Sequence, residues 1–312
     1  VTAMLASAIA LLAAALMGLA IQRGATCMVA AVAELVEQHK AGRALALAEA
    51  ALWVGGLVIL ARMAGWLPDV PAGHAASWQA FAGGVALGLG AWLNAACMFG
   101  TIARIGSGQW AWLATPIGYY LACLAVPNVP TGPADMPPAL SSLLPLVIGF
   151  AALLSWRLVQ AQRAPSVAAW LWHPHRATLL IAVTFVITML TVGAWAYTDA
   201  LTALARAMNA QLGLRGVMVM ALLGGAIGGG WLARSLRPIP VRAIDLVRCL
   251  AGGGLMGVGA VLVPGGNDGL IMVGLPLLQA QAWVAVPAMA ATIALAIWAA
   301  QQWPLANRVA KS

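Results

Sequence analysis

Uncharged, apolar runs of about twenty residues recur along this chain, and nothing else in it limits the possible fold so severely. A helix needs about 20 such residues to cross a bilayer. Candidate spans fall at 2–21, 43–63, 78–103, 107–126, 141–160, 177–197, 215–234, 248–264 and 279–302. Charged residues make up 8% of the 312, against 63% hydrophobic, whereas a soluble domain carries about 25% charged. The expected fold class is therefore an all-α polytopic membrane protein with about nine transmembrane helices. A β-barrel would show short alternating segments instead. Residues 2–21 lack a basic leader and read as a retained span, not a cleaved signal. Stretches 24–36, 198–212 and 265–276 are apolar but too short to cross, and suit re-entrant half-helices.

The net charge of +8 comes from 14 Arg and 2 Lys against 8 acids. Thirteen of these cations fall on one side of the nine spans, and only Arg62, Arg206 and Arg215 on the other. The positive-inside rule makes the first side cytoplasmic. The chain is then a multi-pass protein of a bacterial inner membrane, with the N-terminus outside and the C-terminus in the cytoplasm. No basic run interleaved with aromatics is present, so nucleic acid is not an expected partner. Cys27, Cys97, Cys123 and Cys249 show no C-x-x-C spacing, and His173 and His175 fall in a loop. Neither a metal nor another cofactor is expected.

Residues 83–108, GGVALGLGAWLNAACMFGTIARIGSG, are apolar enough to enter a bilayer but are interrupted by glycine. Each internal glycine costs a helix about 0.8–1 kcal/mol relative to alanine. Broken backbone at membrane depth is tolerated only where it is buried or lines a cavity. A shift of 169 positions lays Gly83, Gly84, Gly88, Gly90, Ala91, Leu93 and Gly100 on Gly252, Gly253, Gly257, Gly259, Ala260, Leu262 and Gly269. On the nine-span topology the two copies run in opposite directions. That predicts an inverted-topology repeat: residues 1–126 as one half, 127–160 as a Pro-rich linker and connector helix, and 161–312 as the other half. Duplicated, glycine-broken segments of this kind point to a transporter's binding site near the midplane.

Several residues in these breaks could meet a substrate. Gln22-Arg23-Gly24 predicts a turn at 22–25, with a half-helix from about residue 26 whose free N–H groups face an anion. Arg23 would add charge there, or would simply snorkel to the interface. Cys27 and Cys97 each follow a glycine break. A thiol in apolar surroundings keeps its proton, and a neutral S–H can donate weakly to a soft anion. The alternative for both is inert packing. Asn94, Gly100 and Arg104 flank Cys97. In the second half Gly265, Gly266, Asn267 and Asp268 occupy the matching place. Gly265 and Gly266 could expose N–H groups as an anion nest. Asp268 is either a proton or cation partner or a helix cap. Cys123 and Cys249 read as structural. Glu49, a lone acid inside a span, has no assignable role.

These residues resemble the YeeE/YedE family, which contains bacterial thiosulfate-uptake proteins. The likeness rests on Q-R-G-x-x-C at 22–27, on the glycine-and-cysteine pattern at 88–108 and on G-x-G-A-x-L-x-P-G-G-N-D at 257–268. It implies an inner-membrane protein of nine spans plus short helices pointing to the centre. It also implies thiosulfate handed between cysteines by S–H hydrogen bonds, with Cys27 and Cys97 as the matching residues. A small cytosolic sulfur-carrier protein is an implied partner beside the lipid bilayer. Thiosulfate-uptake members carry a further cysteine in the second half, where this chain reads P-G-G-N-D.

The leading function is thus a permease for a small sulfur-containing anion, thiosulfate by default, and not an enzyme. A membrane-embedded sulfurtransferase forming a persulfide on Cys97 is the alternative, as is transport of another sulfur or selenium species. The enzyme needs an activated thiolate beside a base, and no histidine lies in any apolar span. An accessory subunit without a substrate would leave the polar motifs at the breaks unexplained.

Overall fold

The computed structural model of the chain describes residues 2–24, 26–67, 71–127, 129, 134–135, 144–163, 166, 177–206 and 212–302. Most of the Pro-rich segment 127–138, together with His173, His175 and residues 303–312, lies outside them. The regular secondary structure of the described residues is helical, apart from one antiparallel pairing of two-residue strands, β1 (Gly73–His74) with β2 (Ala134–Asp135).

Among the described residues thirteen helices follow in chain order. They are α1 (Thr2–Gly24), α2 (Met28–Gln38), α3 (Gly42–Met63), α4 (Trp78–Asn94), α5 (Met98–Gly106) and α6 (Ala114–Ala125), then α7 (Leu144–Gln162). After it come α8 (Ala177–Val192), α9 (Tyr197–Ala205), α10 (Leu212–Leu232), α11 (Ala243–Leu262), α12 (Asn267–Gly269, continued by a π-helical turn Leu270–Gly274) and α13 (Ala280–Gln302). Among the described residues, seven helices or continuous helix pairs are long and apolar enough to cross a membrane. The count rises to eight if α8 and α9, bent by 42° at their break, form one span. The protein is a multi-pass membrane protein.

The expected nine spans meet their main exception at 107–126. That stretch divides into a 3-10 turn, Trp110–Leu113, and the twelve residues of α6. The indole of Trp112 is pinned in this turn, donating to Asn94 O at 3.2 Å. The first break also falls later than the 22–25 turn expected from sequence. Helix α1 continues through Gly24, and α2 begins at Met28. Arg23 in the last turn of α1 suits the negative end of that helix's dipole, which favours carrying the helix past it.

Exposure is inverted relative to a soluble protein. Met4, Leu12, Met63, Trp78, Met220, Trp231 and Leu295 all present most of their surface outward. A surface of this composition belongs against hydrocarbon. Helix α7 is the extreme case, with Leu144, Ile148, Trp156 and Leu158 turned outward. It is tied to α3 by Arg157, whose guanidinium pairs with both carboxylate oxygens of Glu49. Phe150 packs edge-on against Trp53, centroids 5.4 Å apart. Glu49 therefore has a structural partner 108 positions away.

At the centre α4 crosses α11 at glycines that bring backbone close to backbone, with the side chains of Leu87 and Met256 packed beside the contact. A Cβ on Gly90 would stand 2.6 Å from Gly252 O, and one on Gly259 would stand 2.7 Å from Gly83 O. As α4 advances from 83 to 90, α11 recedes from 259 to 252, so the two helices run antiparallel. Around them α11 packs on α6 and α4 on α13, while α1 packs on α10 and α3 on α8. The short helices α2, α5, α9 and α12 begin at residues 28, 98, 197 and 267, two pairs each separated by 169 positions.

Candidate functional site

The four short helices start at an extended residue that breaks the chain away from a preceding long helix. These N-cap residues are Cys27 (φ −157°, ψ 127°), Cys97 (φ −76°, ψ 179°), Ala196 (φ −120°, ψ 151°) and Gly266 (φ −78°, ψ 173°). All four are buried. An α-helix of nine residues rises about 14 Å, less than half the ~30 Å hydrocarbon core. Helices of this length that start in the interior leave their unsatisfied N–H groups and positive dipole ends there.

Cys27 and Cys97 are brought together. Both thiols are free and buried, and they interact side chain to side chain. The Met28 N–H, first in α2, donates to Cys97 Sγ at 3.2 Å. Gly100 lies under the pair: a Cβ there would come 2.6 Å from Cys27 Sγ. The first-half break thus supplies the thiol pair and a glycine that makes room for it.

Asn94 and Arg104 hold this break in shape. Asn94 is fully buried. Its Nδ2 donates to Ala96 O at 2.7 Å and to Thr101 Oγ1 at 3.1 Å, and its Oδ1 accepts from Thr115 Oγ1 at 2.8 Å. Arg104 donates to Ala95 O at 3.2 Å and to Gln109 Oε1 at 2.9 Å, and lies over the Trp112 ring at 4.5 Å. Arg248 donates to Leu93 O at 2.7 Å. Two cations therefore meet the carbonyl end of α4, where the dipole is negative. They offset the strain of Ala95, a non-glycine residue with φ 55°. Gln22 lies at the end of α1, donating to Ser235 Oγ at 2.9 Å and to Ser107 Oγ at 3.4 Å. Arg23 and Gly24, half-buried, finish α1 instead of opening α2.

The second-half break is built differently. Gly265, with φ 144°, makes a reversal closed to other residues. Gly266 has no room for a side chain, because a Cβ would run into Thr198. Asp268 accepts from the Thr198 N–H at 3.1 Å and from the Thr198 hydroxyl. It caps α9 from across the break, so the capping alternative describes its contacts. Asn267 Oδ1 accepts from the Met98 N–H at 3.3 Å, joining the two halves of the site.

Several buried polar atoms at these breaks have no hydrogen-bond partner among the described residues: Thr26 Oγ1, Trp195 Nε1, Tyr197 Oη and Asn267 Nδ2. Each can donate, and each sits within two residues of a short-helix N-cap. Unpaired buried polar groups are costly and call for an explanation. Beside α9 and α12 a cavity of about 130 Å³ is lined by His74, Asp199, Gly265, Gly269, Gln279 and Gln281, among others. Its wall is cross-linked, with the His74 N–H donating to Gln281 Oε1 at 2.8 Å and Gln281 Nε2 to Gln279 Oε1 at 2.9 Å.

Residues 23–295 match the family model described as sulphur transport. The chain belongs to the sulphur-transport family. That match spans both broken segments, all four short-helix starts and the cavity. It agrees with the sequence resemblance and with a transporter more than an enzyme. No curated protein matches the chain.

Within this sulphur-transport protein, the sequence singled out Cys27, Cys97, Gly100 and the 265–268 turn, and the structure places Thr26, Trp195, Tyr197 and Asp199, which the sequence did not single out, at the same breaks. A signal was available in retrospect. The offset of 169 that aligns the glycines also lays Thr26 on Trp195 and Cys27 on Ala196.

Proposed function

We propose that the protein is an inner-membrane permease that passes a small sulfur-containing anion, thiosulfate being the best fit, along a path between the four short-helix starts. The observation that carries this reading is the convergence of unpaired donors and thiols at those starts. Thr26, Trp195, Tyr197 and Asn267 each have a buried donor without a partner among the described residues, and Cys27 and Cys97 meet where the Met28 N–H reaches the Cys97 sulfur. A tetrahedral oxyanion accepts hydrogen bonds in several directions, and its terminal sulfur suits a polarisable S–H. Neutral donors and dipole ends hold such an anion without the deep trap that a buried arginine would create.

The path follows the inverted-topology repeat. The 169-residue spacing of α2 with α9 and of α5 with α12, and the antiparallel glycine contacts of α4 with α11, support a two-fold relation between residues 1–126 and 161–312. Helix α7 then joins the halves. On this reading Cys97, Cys27 and Gln22 lead toward the arginine-rich cytoplasmic side, and the His74 and Asp199 cavity opens to the other. Asn94 and Arg104 act as positioning residues that keep Cys97 in place. Gly265 and Gly266 hold the opposite turn.

The decisive experiment is flux of radiolabelled thiosulfate into proteoliposomes. Saturable uptake that is lost in Cys97→Ala, with the variant still folded, is expected. Undiminished uptake in the Cys27→Ala, Cys97→Ala double variant would overturn the path.

A further inference from the structure

The two halves of the site are not equipped alike. In the first, Gly100 is faced by the Cys27 sulfur. In the second, Gly269 holds the same place, 169 positions on, and is faced by a carboxylate: a Cβ there would lie 3.3 and 3.4 Å from Asp199 Oδ2 and Oδ1. Asp199 lines the cavity and lies beside the start of α12, within van der Waals reach of Gly269. The carboxylate therefore occupies the helix end that an incoming oxyanion would use. Two negative charges cannot share that end in a low-dielectric setting without strong repulsion. A carboxylic acid can: neutral, it offers an O–H donor, as the thiol does in the other half.

We propose that this cavity binds the sulfur oxyanion together with one proton, carried on Asp199, so that the acid O–H does in the second half what the Cys27 S–H does in the first. The inference rests on the permease reading. The proton comes from the solution at the cavity mouth and stays on the carboxyl while the anion is bound; no bond to sulfur forms or breaks. The groups around Asp199 are Asp268 on α12, Arg215 on α10, Tyr119 on α6 and His74 on β1. Asp268 is held by both the N–H and the hydroxyl of Thr198. His74 Nδ1 is buried without a partner, which makes it the one rival proton carrier on the cavity wall among the described residues.

By linkage, a proton taken up on binding must make binding pH-dependent. The test is calorimetric titration of purified protein with thiosulfate in buffers of different ionisation heat, together with whole-cell uptake at varied external pH. The wild type should take up about one proton per anion. Its uptake should fall about tenfold per pH unit once the external pH exceeds the carboxyl's range. Asp199→Asn should bind without proton uptake and transport with a flat pH profile, and Asp199→Glu should retain the dependence. Binding by the wild type without proton uptake would overturn the proposal. So would proton uptake that persists in Asp199→Asn or that disappears only in His74→Gln. A wild type that neither binds nor transports thiosulfate defeats the permease reading itself, a result distinct from these.

Discussion

The Met98 N–H donates to Asn267 Oδ1 at 3.3 Å, and each residue is the first of its short helix, 169 positions from the other. One break in the chain thus caps the other, at the starts of α5 and α12. The carbonyl of Asn267 is spent on this contact while its Nδ2 has no partner, so the side chain is oriented with its donor free. Asn267→Asp removes that donor and adds a charge. Thiosulfate uptake should be abolished in proteoliposomes, and the uncompensated buried charge should lower the thermal melt in detergent as well. Asn267→Ala should in addition lower stability by about 1 kcal/mol through the lost hydrogen bond.

Gly100 and Cys27 form a steric pair. Gly100→Ala forces a methyl to within 2.6 Å of the Cys27 sulfur and 3.1 Å of its Cβ. Overpacking of this kind costs about 1–3 kcal/mol. Adding Cys27→Gly to Gly100→Ala should recover most of that stability but none of the transport. Recovery of both would remove Cys27 from the path.

The Glu49–Arg157 pair is nine-tenths buried between α3 and α7. Breaking such a pair from one side leaves an uncompensated charge, at a cost of about 3–5 kcal/mol. Glu49→Met or Arg157→Met alone should lower the melting temperature sharply, whereas the double variant should melt close to wild type. Transport measured on the surviving folded fraction should be unchanged in all three.

Asp268 and Asp199 should part company under mutation. Asp268 caps α9 through Thr198, so Asp268→Ala should destabilise by about 0.5–2 kcal/mol. Asp268→Asn, which keeps an acceptor, should lose less and should leave the pH profile of uptake as it was. Equal loss of pH dependence in Asp268→Asn and Asp199→Asn would show that the capping role is incomplete.

The breaks at Cys27, Cys97 and Gly266 were legible because two signals coincide there: apolar runs of membrane length and glycines that interrupt them. The offset copy was legible for the same reason. Asp199 was not, since it sits in the unremarkable run Tyr197-Thr198-Asp199 and acquires its place only by facing Gly269. Asp268 drew attention as an intramembrane acid, but its partner Thr198 lies 70 residues away and no local pattern marks the pairing. Glu49 was opaque until Arg157, in a different helix, closed on it. The 3-10 turn at 110–113 likewise depends on Trp112 reaching back to the end of α4. Contacts across the chain decided these cases, and local periodicity carries no record of them.

Where α4 crosses α11, glycines let backbone lie on backbone, and the flanking Leu87 and Met256 are packed tightly beside the contact. A joint of that type resists sliding, because each carbonyl would ride up on its neighbour. It acts as a fixed axle. On the permease reading, movement is then left to the parts hung around the axle, of which α2, α5, α9 and α12 are the smallest.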